Sequence, residues 1–344
     1  MKRNKKTQRV LAWFLAVLAL FAVLAVPVGA STQARPTVWV GGIPFGVRFL
    51  TEGILVVGYC DVQSGGGRHN PARAAGLAPG DCIYQINEET PHTVGELCEM
   101  LQESTGQITV GYRRGTQEKH VTLSPLKCDE DGKVRIGLFV RDSGAGIGTV
   151  TFVSEKGNTF AGLGHGICDG ESGALIPLSR GSVMGVEIAG ITRGATGAPG
   201  ELKGRFCAGK IGSLLGNTAC GVYGVLAEMP RLPAGKCEIA YRDEVREGAA
   251  TVWCTLEDNV CRPYTVELSQ IHRGAEGNKC FTVKVTDKTL LEKTGGIVQG
   301  MSGSPILQNG RLIGAVTHVL IGDPTTGYGI FIENMLANIP EALE

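Results

Sequence analysis

The apolar positions of this chain fall into three regimes. From 10 to 28, "VLAWFLAVLALFAVLAVPV" runs without a single charge. Such a run is about long enough to cross a bilayer as one helix. From residue 41 short apolar runs alternate with turns. "GVRFLTEGILVVGYC" reads as two strands about a turn at Glu52-Gly53. "PARAAGLAPGDCIYQINEETP" gives a short helix, a Pro-Gly turn, a strand and a second turn. "TVGELCEMLQES" (93–104) has a helical period, with Val94, Leu97, Cys98 and Leu101 on one face and Thr93 placed as its cap. "QITVGYRRGTQEKHVTLSP" closes this region as a hairpin. Past about residue 126 helix is scarce, apart from "TDKTLLEKTG" (286–295) and the C-terminal "IENMLANIPEALE". Two hairpins, "GTVTFVS-EKGN-TFAGLGH" and "GSPILQ-NG-RLIGAVTH", each run into a histidine. This echo of one unit in another suits a mainly β, double-barrel architecture better than a helical one.

Charge refines the first regime. The first nine residues carry five positive charges and no acid. A basic start before an apolar run leaves the N-terminus in the cytoplasm and exports the remainder of the chain. Residues 1–9 are therefore a basic tail and 10–28 a transmembrane anchor or signal segment. "VGA" (28–30) has the small residues of a cleavage site. Residues 29–40 read as a linker. Over the whole chain 33 basic and 33 acidic side chains balance to zero, which argues against a nucleic-acid partner. The 51 glycines have no fixed period and read as tight turns. Eleven cysteines in an exported chain would favour disulfides, but an odd, scattered set spells no framework. His165 and Cys168 form one HxxC without a second pair, so no metal and no cofactor is expected.

The chemistry concentrates in "GGIVQGMSGSPILQNG" (295–310). Ser302 stands between Met301 and Gly303, with Gly300 before them and Pro305 after. A nucleophilic serine needs a turn that exposes its hydroxyl and aims nearby amides at an oxyanion; here these are the amides of Gly300 and Ser302. A serine is a weak nucleophile alone and requires a base. His165 in "GLGHGICDG" is the first candidate, because glycines on both sides leave the ring accessible, and imidazole titrates near neutral pH. His318 is its rival. Asp287 or Asp169 would orient the imidazole, although Asp287 is equally well placed to cap the helix "KTLLEK". A cysteine peptidase built on Cys168 is remote, since three residues from His165 is poor geometry for attack.

Two resemblances sharpen these expectations. Around "AAGLAPGDCIYQIN", residues 41–125 resemble a PDZ domain. The resemblance implies a peptide that adds as a strand beside "GGIPFGV" (41–47), with Ile43, Phe45, Gly46 and Val47 forming the groove. Pro44 lacks an amide hydrogen, so an internal segment is expected rather than a free C-terminus. The chain as a whole, through "RDSGAGIGTVTF", "GHGICD" and "TGGIVQGMSGSPILQNGRLIGAVTHV", resembles the stage IV sporulation protein B family of serine peptidases. That resemblance implies a trypsin-like double β-barrel over 126–344, with Ser302 as nucleophile, His165 as base and Asp287 as acid. It further implies an enzyme exported from the forespore, anchored in or released between the forespore and mother-cell membranes. Its substrates would be itself in trans and the exported domain of a membrane regulator, stage IV sporulation protein FA. The cut would trigger intramembrane processing of the late mother-cell sigma factor. An inactive PDZ scaffold and a general quality-control protease are the alternatives.

Overall fold

The computed structural model describes Trp13 and residues 35–156, 158–170 and 173–340. The basic tail 1–9, all of the apolar run 10–28 but Trp13, and the first half of the linker 29–40 lie outside the described residues. Among the described residues, no helix is long and apolar enough to cross a membrane.

From Pro36 onward the chain forms one compact unit. It opens with β1 (Thr37–Val40) and β2 (Pro44–Tyr59). β3 (Val62–Ser64), β4 (Gly67–His69), α1 (Pro71–Ala74), β5 (Cys82–Ile86) and α2 (Val94–Glu103) follow. Next come β6 (Ile108–Arg114), β7 (Gln117–Leu123), β8 (Leu126–Lys127) and β9 (Val134–Arg135). The helix α2 forms where its period predicts: Thr93 accepts from Glu96 N, the Glu96 carboxylate accepts from His92 N, and Leu97 and Leu101 are buried. They pack with Ile54, Val56, Ile83 and Val110 in a core of their own.

The first barrel uses β10 (Leu138–Ser154), β11 (Thr159–Gly162), β12 (Leu178–Thr192), β13 (Glu201–Thr218) and β14 (Gly221–Leu226). β10 pairs with β11, β11 with β14, β14 with β13, β13 with β12 and β12 with β2; β2 returns to β10. That ring closes a six-stranded barrel around Phe45, Val47, Phe49, Val150 and Phe160. β15 (Lys236–Glu238) and β1 extend it at one edge. The second barrel closes through β16 (Gly248–Thr255), β17 (Cys261–Ser269), β18 (Phe281–Val285), β19 (Pro305–Gln308), β20 (Arg311–Leu320) and β21 (Asp323–Phe331). α3 (Lys288–Thr294) and α4 (Ile332–Leu336) lie outside its ring.

Two expectations change. "GVRFLTEGILVVGYC" is one long strand, not two about a turn; Gly53, at φ 96°, lets it run on without reversing. The PDZ-like part also does not begin at 41. Thr37–Val40 pairs with β10 instead of forming a linker, and Phe45–Leu50 pairs with both β10 and β12 inside the barrel. The smaller sheet begins where Ile54 meets Ile83 and ends where Leu138–Arg141 pairs back onto Tyr59–Leu55. It is thus an insertion carried on β2 and β10. A boundary drawn where the composition shifts misses this, because both strands belong to both parts.

Candidate active site

The turn 300–303 comes from the second barrel, but the first barrel holds it. Thr149 of β10 donates from its hydroxyl to Gly300 O (2.8 Å) and from its amide to Ser302 O (2.9 Å). Two residues on, the Thr151 hydroxyl donates to Gly303 O (2.7 Å). Gly303, at φ 92°, has no room for a Cβ, which would lie 2.1 Å from Thr149 O. Gly300, at φ 95°, bends the other side of the turn. With the carbonyls so engaged, the amides of Gly300 and Ser302 have no protein acceptor among the described residues. That is what an oxyanion site requires.

His165 follows β11, where Leu163 adopts a left-handed φ of 65° although it is not glycine. Such strain persists only where the surroundings impose it, often at functional sites. Burial lowers the His165 pKa and a hydrogen bond to Gly166 O (2.9 Å) partly opposes this, so the ring is the neutral imidazole a base must be. His318, at the end of the second-barrel hairpin, brings its ring centroid to 4.7 Å from that of His165. Burial, with His165 and Lys279 adding to it, holds the His318 pKa down at about 4. Its Nδ1 is buried without a partner. Ser302, His165 and His318 line one cleft of about 600 Å3. In the resting arrangement the Ser302 hydroxyl donates to Thr317 O (2.7 Å). Attack requires it to turn toward an imidazole.

Asp287 stands elsewhere. Its carboxylate caps α3 by accepting from Leu290 N (3.0 Å) and accepts from Thr265 N (3.4 Å). Among the described residues, burial and the Gly166 carbonyl are what shift His165, and Asp287 does not line the cleft. The acid assignment is therefore corrected to a helix cap: the carboxylate satisfies one orphan amide of a short helix. Asp169 is buried (3% exposed), and its backbone closes the 169–174 turn. Cys168 lines the cleft, but burial raises its thiol pKa, the wrong direction for a thiolate nucleophile.

The residue that positions the His165 loop is one the sequence did not advertise. Asn217, at the end of β13, accepts from Ile167 N (2.8 Å) and donates to Ile167 O (2.8 Å) and Ile176 O (2.9 Å). One amide thus ties both arms of the loop. In "LLGNTACG" it looks like an ordinary turn residue, and its partners lie 50 and 41 residues away.

The expected groove residues Ile43, Phe45, Gly46 and Val47 are also corrected. Phe45–Val47 has strand partners on both sides, Gly148–Gly146 of β10 and Gly185–Val183 of β12, so no peptide can add there. Phe45 and Val47 instead line the catalytic cleft. The edge beside α2 is Leu138–Arg141, which pairs only with β2. A cleft of about 560 Å3 lies there between Leu97, Leu101, Leu138 and Phe139.

With this geometry in place, known families can be compared. The model of the SpoIVB peptidase S55 family matches residues 132–336, and a PDZ domain model matches 64–114. The chain belongs to the SpoIVB peptidase S55 family. It is a serine endopeptidase with a PDZ domain. No curated protein matches it. Among solved structures, the PDZ domain of an SdrC-like protein from Listeria monocytogenes is 18% identical, over 26% of this chain and 87% of that one (TM-score 0.21). A protease of M. tuberculosis in its active form is 14% identical, over 57% and 74% (TM-score 0.31). The HtrA-type protease AlgW with a tripeptide is 13% identical, over 58% of this chain and 56% of that one (TM-score 0.35).

Proposed function

We propose that this peptidase is a dedicated signalling enzyme of sporulation. It cleaves its own N-terminal region in trans and then the exported domain of a membrane regulator of the stage IV sporulation protein FA type. That cut releases an intramembrane protease to process the late mother-cell sigma factor. The enzyme acts after export from the forespore, between the two membranes, held there by residues 10–28 or released from them. Membership of the SpoIVB peptidase family supports the signalling role.

The hydrolytic step rests on one observation: Ser302 and His165 share a cleft with the two free amides of the 300–303 turn. Ser302 Oγ attacks the scissile carbonyl while a neutral imidazole, His165, takes its proton. The amides of Gly300 and Ser302 hold the oxyanion, and the imidazolium returns the proton to the leaving amine. The peptide enters by adding to Leu138–Arg141 beside α2.

Mixing purified protein with a Ser302→Ala copy tests this reading. Cuts in the copy, located by mass spectrometry and confined to its N-terminal region, support it. Broad digestion of unfolded casein would mark a quality-control protease instead. The Ser302 hydroxyl donated to Thr317 O favours a second reading, a scaffold latched in an inactive state. Absence of labelling by a fluorophosphonate would establish that one.

A further inference from the structure

A second cleft, of about 770 Å3, opens on the outer face of the first barrel. Its walls come from β2, β10, β12 and β13, at the place where β2 and β10 leave the barrel for the PDZ domain. Strand alternation sends Val47 and Phe49 inward and Arg48 and Leu50 outward. Register then aligns the outward positions of neighbouring strands. Arg48 pairs with Ala145 on one side and Ser182 on the other, and Leu50 is flanked by Ser143 and Arg180. Lys210 completes the wall.

Three cations, Arg48, Arg180 and Lys210, therefore converge on one concavity, and among the described residues no carboxylate lines it. None of the three has an ion-pair partner among the described residues. Arg48 is preset, its guanidinium lying 5.1 Å over the Phe206 ring. Gly46 leaves the space for that ring, since a Cβ there would lie 2.1 Å from it. Ser143, Ser179, Ser182 and Ser213 line the walls, the Ser143 hydroxyl donating to the adjacent Asp142 carboxylate (2.9 Å). The rim is apolar: Leu50 is 42% and Leu215 46% exposed.

We infer that this cleft takes the phosphodiester headgroup of an anionic phospholipid and seats the barrel against a membrane surface. Charge complementarity selects the anion. Exposed leucines beside unpaired cations select a lipid, because a soluble anion has nothing to offer the apolar rim whereas an acyl boundary does. The seat is independent of the segment 10–28.

The test is flotation of Pro36–Glu344, which forms one compact unit, with vesicles of phosphatidylcholine containing phosphatidylglycerol. The triple variant Arg48→Gln/Arg180→Gln/Lys210→Gln is compared with Lys133→Gln/Lys203→Gln/Lys288→Gln, which removes the same charge elsewhere. Each cation near an anionic surface is worth about fivefold in partitioning, so the cleft variant should lose about 100-fold relative to wild type. The control should lose far less, and added salt should narrow the gap. The apolar run 10–28, which could hold any of the three proteins on a vesicle by itself, is left out of all three. An equal loss in both triple variants overturns the inference. So does saturable binding of inorganic phosphate lost in the cleft variant without any difference on vesicles. So does cleft-dependent binding of an acidic peptide without a vesicle difference. Should the triple variant fail to fold, Leu50→Ser/Leu215→Ser replaces it: weaker partitioning supports the seat, and unchanged partitioning refutes it.

Discussion

Asp287 offers a clean separation of cap from catalyst. In the structure its carboxylate serves Leu290 N at 3.0 Å and, at a long 3.4 Å, Thr265 N. Only the first is a good hydrogen bond. The helix it starts is seven residues long and buries Leu290 completely, ending at Gly295 in the left-handed region. Removing the cap with Asp287→Ala should cost about 1 kcal/mol. For a domain of this size, that lowers Tm by about 2–4 °C. Asparagine caps as well as aspartate does, so Asp287→Asn should keep the wild-type Tm. Both variants should cleave a Ser302→Ala copy at close to the wild-type rate, because Asp287 caps α3 and does not line the cleft that holds His165. A thermal melt and a timed trans-cleavage assay decide the matter. A loss of about 10⁴ in rate for Asp287→Asn at unchanged Tm would show that the carboxylate orients the histidine. The cap account would then be wrong.

Other perturbations separate the remaining roles. Asn217→Ala releases three hydrogen bonds in the His165 loop; trans-cleavage should fall about 10–100-fold while fluorophosphonate labelling slows less, as for a misplaced base. The acid limb of kcat/KM should lie below the ordinary histidine value of about 6.5, since burial keeps His165 neutral. Stability follows the same sign: between pH 6.5 and about 4 an unfolded His318 binds a proton that the folded one refuses, so Tm should fall with pH across that window, and less steeply in His318→Phe. Finally, Leu50 pairs with Ser143, so an Asn-Gly turn joining Thr51 to Asp142 should excise the PDZ insertion, leaving Ser302 reactive to a fluorophosphonate but slowing cleavage of intact protein. Excision of 41–125 should abolish labelling instead, because it removes Phe45, Val47 and Phe49 from the barrel core.

The features legible in the sequence were those encoded locally. The turn at Ser302 is legible because positive φ on both sides calls for Gly300 and Gly303, which stand within one residue or two of the nucleophile. The α2 helix is legible because cap, period and length agree over ten residues. His165 is legible as a histidine among glycines. The readings that failed depend on long-range pairing. Phe45–Val47 looks like a PDZ strand entry, and only its partners 100 and 140 residues away show it to be barrel wall. Asp287 satisfies two roles in sequence but one in space. The clamp by Asn217 and the approach of His318 to His165 leave no local trace, since each depends on how a barrel closes.

Strand β10 shows why delivery and chemistry are not mechanically separate here. Its first residues, Leu138–Arg141, form the open edge of the PDZ domain, and Thr149 and Thr151, further along, hold the carbonyls of Gly300, Ser302 and Gly303. Eight residues separate Arg141 from Thr149, roughly 26 Å of extended chain. Over that span the register with β2 shifts between Arg141 and Ser143, and glycines stand at 144, 146 and 148. Such a stretch is the part of the strand least stiffened by side chains. The amides of Gly300 and Ser302 are left free because Thr149 and Thr151 hold the carbonyls of the same turn. Whatever repositions β10 at the PDZ edge acts on the strand that sets those amides. In a chain whose resting Ser302 donates to Thr317 O rather than to a histidine, that strand links the PDZ edge to the nucleophile turn, covalently as far as Thr149 and Thr151 and by their hydrogen bonds from there.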